Sequence, residues 1–167
     1  TTTAQAGDND DYATTAPKVL TCALQLVLGL RSSTDQAPLN MSGSAVSKAL
    51  QVILGVSRSQ LSKGYRQYGD LGDSAASFFQ KQSFFVVSST TRHLSIVKVY
   101  QSLQDIVATS GRDAKQHILF QLLRSCNTKT ELRFLVRLLI GNRRVGANIK
   151  TVLAALAQAI TKEGGDI

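Results

Sequence analysis

Apolar residues recur every three or four positions along most of the chain, which is the spacing that one face of an α-helix requires. Short signals mark the helix ends: Ser57-Arg-Ser-Gln60 and Thr128-Lys-Thr-Glu131 are capping boxes, and Ser95 is a further predicted cap. The pattern predicts seven or eight helices, within residues 17–30, 44–56, 57–68, 73–82, 95–111, 113–126, 128–140 and 146–161.

One segment departs from the helical spacing. Phe84–His93 begins with four large apolar residues and continues with serine and threonine, which favours an extended connector with space for a short strand. The remainder predicts an all-α, multi-helix domain. We expect a disordered lead-in over residues 1–16, a single all-helical domain over 17–163 and a tail over 164–167.

Two segments of the chain resemble each other. Residues 42–53 match residues 145–156 at a constant offset, and an apolar helix running into glycine precedes each copy. This predicts two helical hairpins about a pseudo-twofold axis, with Leu50 and Leu153 at equivalent core positions. The alternative is two unrelated amphipathic helices that share a starting glycine.

Composition narrows the class of protein. The 167 residues are 43% hydrophobic, which is enough to bury a core. The longest apolar runs, such as Ala23–Leu30, fall far short of the roughly 20 residues of a membrane span. Cys22 and Cys126 alone cannot form a disulfide framework and indicate a reducing compartment. The sequence has no zinc-type Cys or His spacing, no P-loop and no G-x-S-x-G motif, so we expect neither a metal site nor an active site.

The net charge of +8 is unevenly distributed. Residues 1–83 hold 7 basic and 6 acidic side chains, whereas residues 84–167 hold 12 and 5. A patch of one sign attracts polyanions such as nucleic acid, although a solvated basic face without a ligand has the same composition. The basic residues of the densest segment, in which Glu131 is the one acid, are Arg124, Lys129, Arg133, Arg137, Arg143, Arg144 and Lys150.

Within this segment, a turn between two helices carries the strongest binding signal. Lys129, Arg133 and Arg137 are spaced by four, so they share a helix face that leads to the turn. Gly141-Asn-Arg-Arg-Val-Gly146 then presents two arginines between two glycines, which allow close approach of a ligand to the backbone. The helix expected after Gly146 would offer free N–H groups to a phosphate. The alternative is a plain helix–helix turn with solvated arginines.

The run R-F-L-V-R-L-L-I-G-N-R-R-V-G-A-N-I-K-T-V-L-A-A-L-A, which starts at Arg133, resembles the N-terminal DNA-binding domain of eukaryotic and archaeal ATP-dependent DNA ligases. Gly69-Asp-Leu-Gly72-Asp73, Val99-Tyr100 and Ser110-Gly111 match the same family in the same order. The resemblance extends over about residues 17–160. It implies an all-helical domain with an internal pseudo-twofold that holds the minor groove of duplex DNA on both sides of a nick.

The resemblance also implies which residues contact DNA. Asn142 stands where the family usually has lysine and Arg143 where it has an apolar residue, so one positive charge has moved by one position. The contact residues implied by position are Gly141, Asn142, Arg143, Arg144 and Gly146, with Gly43 and Ser44 at the equivalent corner of the first half.

Catalysis is expected to lie elsewhere, because no lysine of the chain stands in the K-x-D-G motif of the family. The resemblance implies that ATP and Mg²⁺ serve the parent enzyme, and that no cofactor binds this part. It implies duplex or nicked DNA as the ligand, adenylation and OB-fold domains on the same parent chain, a monomer without membrane contact, and a nuclear location (cytoplasmic for an archaeal source). The alternative function is a helical protein-interaction domain whose basic face binds an acidic partner.

Overall fold

The computed structural model describes residues 9–29, 41–79, 94–142, 146 and 148–163, and this part contains eight α-helices and no strand. The predicted all-α class is therefore confirmed, whereas the connector predicted at 84–93 lies outside the described residues. The helices are α1 (Asn9–Leu28), α2 (Gly43–Leu54), α3 (Arg58–Tyr68), α4 (Leu71–Ser77), α5 (Ile96–Ala108), α6 (Arg112–Arg124), α7 (Lys129–Leu139) and α8 (Ile149–Glu163).

One hydrophobic core joins seven of these helices. The short α4 packs between α3 and α7, α2 packs on α6, and α5 contacts both α1 and α6. Each of these seven helices turns one apolar stripe inward, as the spacing in the sequence predicts. The largest fully buried apolar side chains are Leu50, Leu119, Leu123, Leu132, Leu139, Val46 and Val136.

Local signals predicted several helix ends correctly. Ser57 accepts the backbone N–H of Gln60 at 3.2 Å, and its own N–H donates to the Gln60 side chain at 2.8 Å. Thr128 and Glu131 form the same reciprocal pair. Ser95 caps α5 by accepting the N–H of Lys98. All three predicted caps are confirmed, because each depends on contacts within a few residues.

Other helix ends were predicted wrongly. The first helix begins at Asn9 instead of Pro17, so residues 9–16 of the predicted disordered lead-in are helical and Pro17 lies inside α1. The helix predicted over 73–82 begins at Leu71, because Asp70 caps it by accepting the N–H groups of Gly72 and Asp73. The helix predicted from residue 113 begins at Arg112, and it has no side-chain cap because Gly111 occupies the cap position.

The internal repeat is not confirmed. At the predicted offset Gly43 corresponds to Gly146, but Gly43 is the first residue of α2, whereas Gly146 has a φ of +63° and lies outside α8. Leu50 is fully buried, whereas Leu153 is 54% exposed, so the prediction of Leu153 as a core residue was wrong. The large apolar side chains Ile149 and Ile160 of α8 are also exposed, and similar sequence therefore does not mean equivalent packing here.

Candidate nucleic-acid interface

Arginines of α7 reach the N-terminus of α4. The Nε of Arg137 donates to Asp70 Oδ2 at 2.9 Å, and its Nη2 donates to Asp73 Oδ2 at 2.7 Å. Arg133 Nε lies 2.8 Å from the other oxygen of Asp73. Two arginines one helical turn apart thus hold the two carboxylates at the start of a neighbouring helix.

This ion-pair cluster is buried at its centre. The Asp70 side chain is fully buried and that of Arg137 is 12% exposed. Burial by itself raises the pKa of Asp70, but the N–H of Asp73, the Arg137 side chain and the N–H of Gly72 all hydrogen-bond the carboxylate. These bonds outweigh burial, so the pKa of Asp70 lies below its ordinary value and the group is ionised at neutral pH.

Gly72 allows the two helices to approach. A Cβ at this position would lie 2.6 Å from the backbone oxygen of Arg133 and 2.9 Å from Asp70 Oδ1. Any side chain would therefore push α7 away and break the ion pairs. The glycine of the Gly69-Asp-Leu-Gly72 turn is required by close packing between helices.

The predicted cationic face of α7 is consequently wrong for two of its three members. Arg133 and Arg137 were expected to point along the helix toward the Gly141 turn as a binding surface. Their charges are instead neutralised within the protein by Asp70 and Asp73. Of these three residues, Lys129 alone is exposed and forms no ion pair with a described residue.

The Gly141 turn follows α7 directly. Gly141 has a φ of +73°, a left-handed conformation that glycine adopts without strain, and its N–H donates to the carbonyl of Leu138. Asn142 and Gly146 are exposed, and an added Cβ at Gly146 would meet nothing within 4 Å. Arg143 and Arg144 lie outside the described residues, so their predicted contacts stay predictions.

The start of α8 differs from the expectation of free N–H groups next to Gly146. The helix begins three residues later, at Ile149. The side chain of Asn148 accepts the N–H of Thr151 at 3.0 Å, so Asn148 caps this end. Gly146 therefore belongs to the loop, where its exposed backbone is accessible from solvent.

The other predicted corner lies beside this turn. The N–H of Met41 donates to the carbonyl of Leu139, which ties the chain before α2 to the last residue of α7. Gly43 and Ser44 are exposed in the first turn of α2, and Ser42 caps that helix by accepting the N–H of Ala45. The Met41–Leu139 bond thus places the segment that leads into Gly43 beside the end of α7, and the DNA contacts of Gly43 and Ser44 stay predictions.

A groove of about 580 Å³ opens from this junction and runs between α2 and α3. Two exposed cations, Lys48 and Arg58, line it from opposite helices. Neither has an ion pair with any residue that the structure describes. The full lining is Gly43, Ser44, Ser47, Lys48, Gln51, Arg58, Leu61, Ser62, Tyr65, Leu71 and Ile140.

Counting charge by halves of the chain missed these two cations. Residues 41–69 contain four basic side chains and no aspartate or glutamate. The net charge of residues 1–83 is close to zero because the acidic residues of this half lie outside residues 41–69. Two of these acids, Asp70 and Asp73, form ion pairs with α7. Counting charge over windows of about thirty residues would have shown this excess of basic residues.

Other chemistries have little support in the described part of the chain. No group of three or more His, Cys, Asp or Glu residues there could hold a metal ion. No helix in those ranges is long and apolar enough to cross a membrane. Burial raises the pKa of the Cys126 thiol to about 12, so this cysteine is a neutral core residue.

Comparison with known proteins decides the family. Residues 7–157 match the family model described as DNA ligase N terminus. The chain belongs to this family. It is 38% identical over 129 residues to DNA ligase 6 of Arabidopsis thaliana and 35% identical over 127 residues to a DNA ligase of Acidianus ambivalens. A DNA ligase 3 of Schizosaccharomyces pombe is 35% identical over 116 residues.

The ligase N-terminal chain is short beside these relatives. The matches cover 75%, 71% and 68% of this chain but 9%, 21% and 14% of the three ligases, in the same order. The two segments that carried the resemblance most clearly, Gly69–Asp73 and the run from Arg133, are the ones that the Asp70–Arg137 pair joins. In this ligase N-terminal domain, that part of the pattern is a packing contact between α4 and α7.

Proposed function

We propose that this chain is the DNA-holding domain of an ATP-dependent DNA ligase. It binds duplex DNA without sequence preference, through the minor groove and phosphates, and holds a nick for sealing by adenylation and OB-fold domains of the same parent chain. The observation that carries this proposal is the junction between the Gly141 turn and the start of α2, where Asn142, Gly43 and Ser44 are exposed, in a chain of the DNA ligase N-terminus family.

The shape of this junction supports contact with the DNA backbone. Added Cβ atoms at Gly43 and Gly146 would meet nothing within 4 Å, so the main chain is open to a large ligand at both positions. Contacts of this kind position a duplex but read little sequence, because phosphates are the same at every step. Arg143 and Arg144, between the two glycines of the turn, would supply charge to a phosphate or to the narrow groove.

The proposal assigns no catalysis to this domain. ATP and Mg²⁺ would bind the catalytic domains of the parent enzyme. Those domains would also supply the nucleophilic lysine, because this chain contains no K-x-D-G motif. We propose that the domain works as a monomer inside the cell, in the nucleus of a eukaryotic source.

A binding titration tests the proposal. Labelled nicked duplexes of two unrelated sequences should bind with similar affinity, and a single strand should bind more weakly. The logarithm of affinity should fall with the logarithm of salt concentration with a slope of roughly −3 to −6, which corresponds to a handful of phosphate contacts. A salt-independent affinity would contradict the proposal, and binding to an acidic protein but not to DNA would favour a protein-interaction domain.

Arg144 is the sharpest single test. Arg144→Ala should weaken duplex binding by about 1.5–3 kcal/mol, the range for a charge-assisted hydrogen bond, without a large change in the melting midpoint. Arg112→Ala is the matched control, because Arg112 is an exposed arginine at the start of α6. If both variants lose the same small amount, the turn provides only diffuse charge and does not grip DNA.

A further inference from the structure

Two helices present cations to one groove. Lys48 projects from α2 and Arg58 from the first turn of α3, and both line the space between these helices. The opposite face of α2 is buried through Val46, Ala49 and Leu50, so the groove face is fixed in orientation by the core. The cations therefore belong to a rigid platform.

No described acidic residue compensates the charge of this platform. No acidic residue occurs in residues 41–69, and neither groove cation pairs with a described residue. The arginines of α7 show the opposite state, because Asp70 and Asp73 neutralise them. The positive charge of the described groove lining thus comes from one residue of α2 and one of α3.

The remaining lining adds neutral hydrogen-bond donors. Ser44, Ser47, Ser62 and Tyr65 carry hydroxyl groups along the groove, and Tyr65 is 51% exposed. Hydroxyls and cations together are the groups that bind phosphate oxygens in protein–DNA complexes. Among the described residues that line the groove there is no carboxylate that would repel a phosphate.

The groove also has a direction. Gly43 to Gln51 is a stretch of nine residues of α2, whose eight helical steps span about 12 Å, and this equals the axial rise of about three to four nucleotides of one strand. Ile140, the residue before Gly141, also lines the groove. A strand held at the Gly141 turn can therefore continue between Lys48 and Arg58.

We propose that the α2–α3 groove binds the phosphodiester backbone of duplex DNA, as a second contact region that begins at Ile140, next to the Gly141 turn. This inference rests on the proposed function and extends it to a surface outside the contact residues implied by the family resemblance, apart from Gly43 and Ser44. A free nucleotide offers the same phosphate chemistry, and the experiment separates the two sources.

The test uses the 167-residue chain with Lys48→Gln, Arg58→Gln and the double variant. Lys63→Gln is the control, since Lys63 is exposed and lies on α3 but does not line the groove. Each groove variant should weaken binding to a labelled nicked duplex about tenfold, the effect of one charge-assisted contact. The salt slope should become shallower by about 0.9 for each cation removed, whereas Lys63→Gln should change affinity less than twofold.

Three outcomes overturn the inference in distinguishable ways. If the unmodified chain binds no DNA, the proposed function fails and the inference fails with it. If the chain binds DNA and Arg144→Ala weakens binding, but Lys48→Gln and Arg58→Gln behave like Lys63→Gln, only the groove is wrong. If ATP or pyrophosphate displaces the duplex and its binding requires Lys48 and Arg58, the groove is a site for free phosphates. Unchanged thermal melting of all variants confirms that binding, and not folding, is measured.

Discussion

Arg137 on α7 and Arg58 on α3 carry the same guanidinium group but have opposite surroundings. Arg137 is 12% exposed and bound by the carboxylates of Asp70 and Asp73, whereas Arg58 is exposed at the edge of a groove and pairs with no acid in the described part of the chain. One arginine completes the packing of two helices, and the other leaves its charge available to a ligand. A cationic sequence therefore indicates binding only where the fold brings no carboxylate to it.

The largest difference between the two arginines should appear in stability. Arg137→Met leaves the buried carboxylate of Asp70 without its cation and should lower the free energy of unfolding by about 3–5 kcal/mol. Arg58→Met should change it by less than about 0.5 kcal/mol, because the side chain is exposed. Urea unfolding followed by circular dichroism measures both.

A double variant sharpens this result. Asp70→Asn combined with Arg137→Met removes both charges of the pair while asparagine still caps α4, so it should recover part of the lost stability. If the double variant is as unstable as the sum of the two single variants, the ion pair is not the reason for the loss.

Two leucines extend the comparison to apolar side chains. Leu50→Ala should lower the free energy of unfolding by about 2–5 kcal/mol, because this side chain of α2 is fully buried. Leu153→Ala in α8 should cost less than about 1 kcal/mol, since Leu153 is 54% exposed. Equal losses of unfolding free energy at the two positions would instead support the predicted repeat, in which Leu50 and Leu153 are equivalent core residues.

Lowering the pH should also weaken the Asp70–Arg137 pair, with a gradual loss of the free energy of unfolding. The pKa of Asp70 is lower in the folded state than its ordinary value of 3.8, so the unfolded chain takes up a proton first as the pH falls. The stability that the carboxylate contributes is complete well above pH 4 and is lost as the pH falls through the folded-state pKa. The free-energy difference between the wild-type chain and Asp70→Asn, measured from pH 6 to 2.5, should therefore shrink with acid. A constant difference would contradict the lowered pKa.

Contacts between residues close in sequence could be predicted, whereas contacts between residues far apart in sequence could not. The capping boxes at Ser57 and Thr128 were predictable, because their donors and acceptors lie three residues apart. The partners Asp70 and Arg137 lie 67 positions apart, and nothing local in either segment indicates the other. The apolar spacing predicted the inward face of α2 correctly but could not show that the similar face of α8 is left exposed.

The candidate site followed the same rule. The sequence indicated Gly43, Ser44 and the Gly141 turn from family spacing, and the bond from Met41 to Leu139 brings them together. The sequence wrongly predicted a cationic binding face on α7, because the spacing of basic residues on one helix does not show which acidic residues of another helix will pair with them. The sequence did not predict a role for Lys48 and Arg58, because these residues line a common groove only once α2 and α3 have packed together.

The order in which the chain is made gives the contact between α4 and α7 a further meaning. Asp70 is synthesised 67 residues before Arg137, a delay of about 3–13 s at 5–20 residues per second. During that interval Asp70 has no Arg137 to pair with, so its carboxylate must keep its water. The packing of α4 against α7 is therefore completed only after α7 has been synthesised, and a nascent chain that ends before α7 lacks the α7 part of the core.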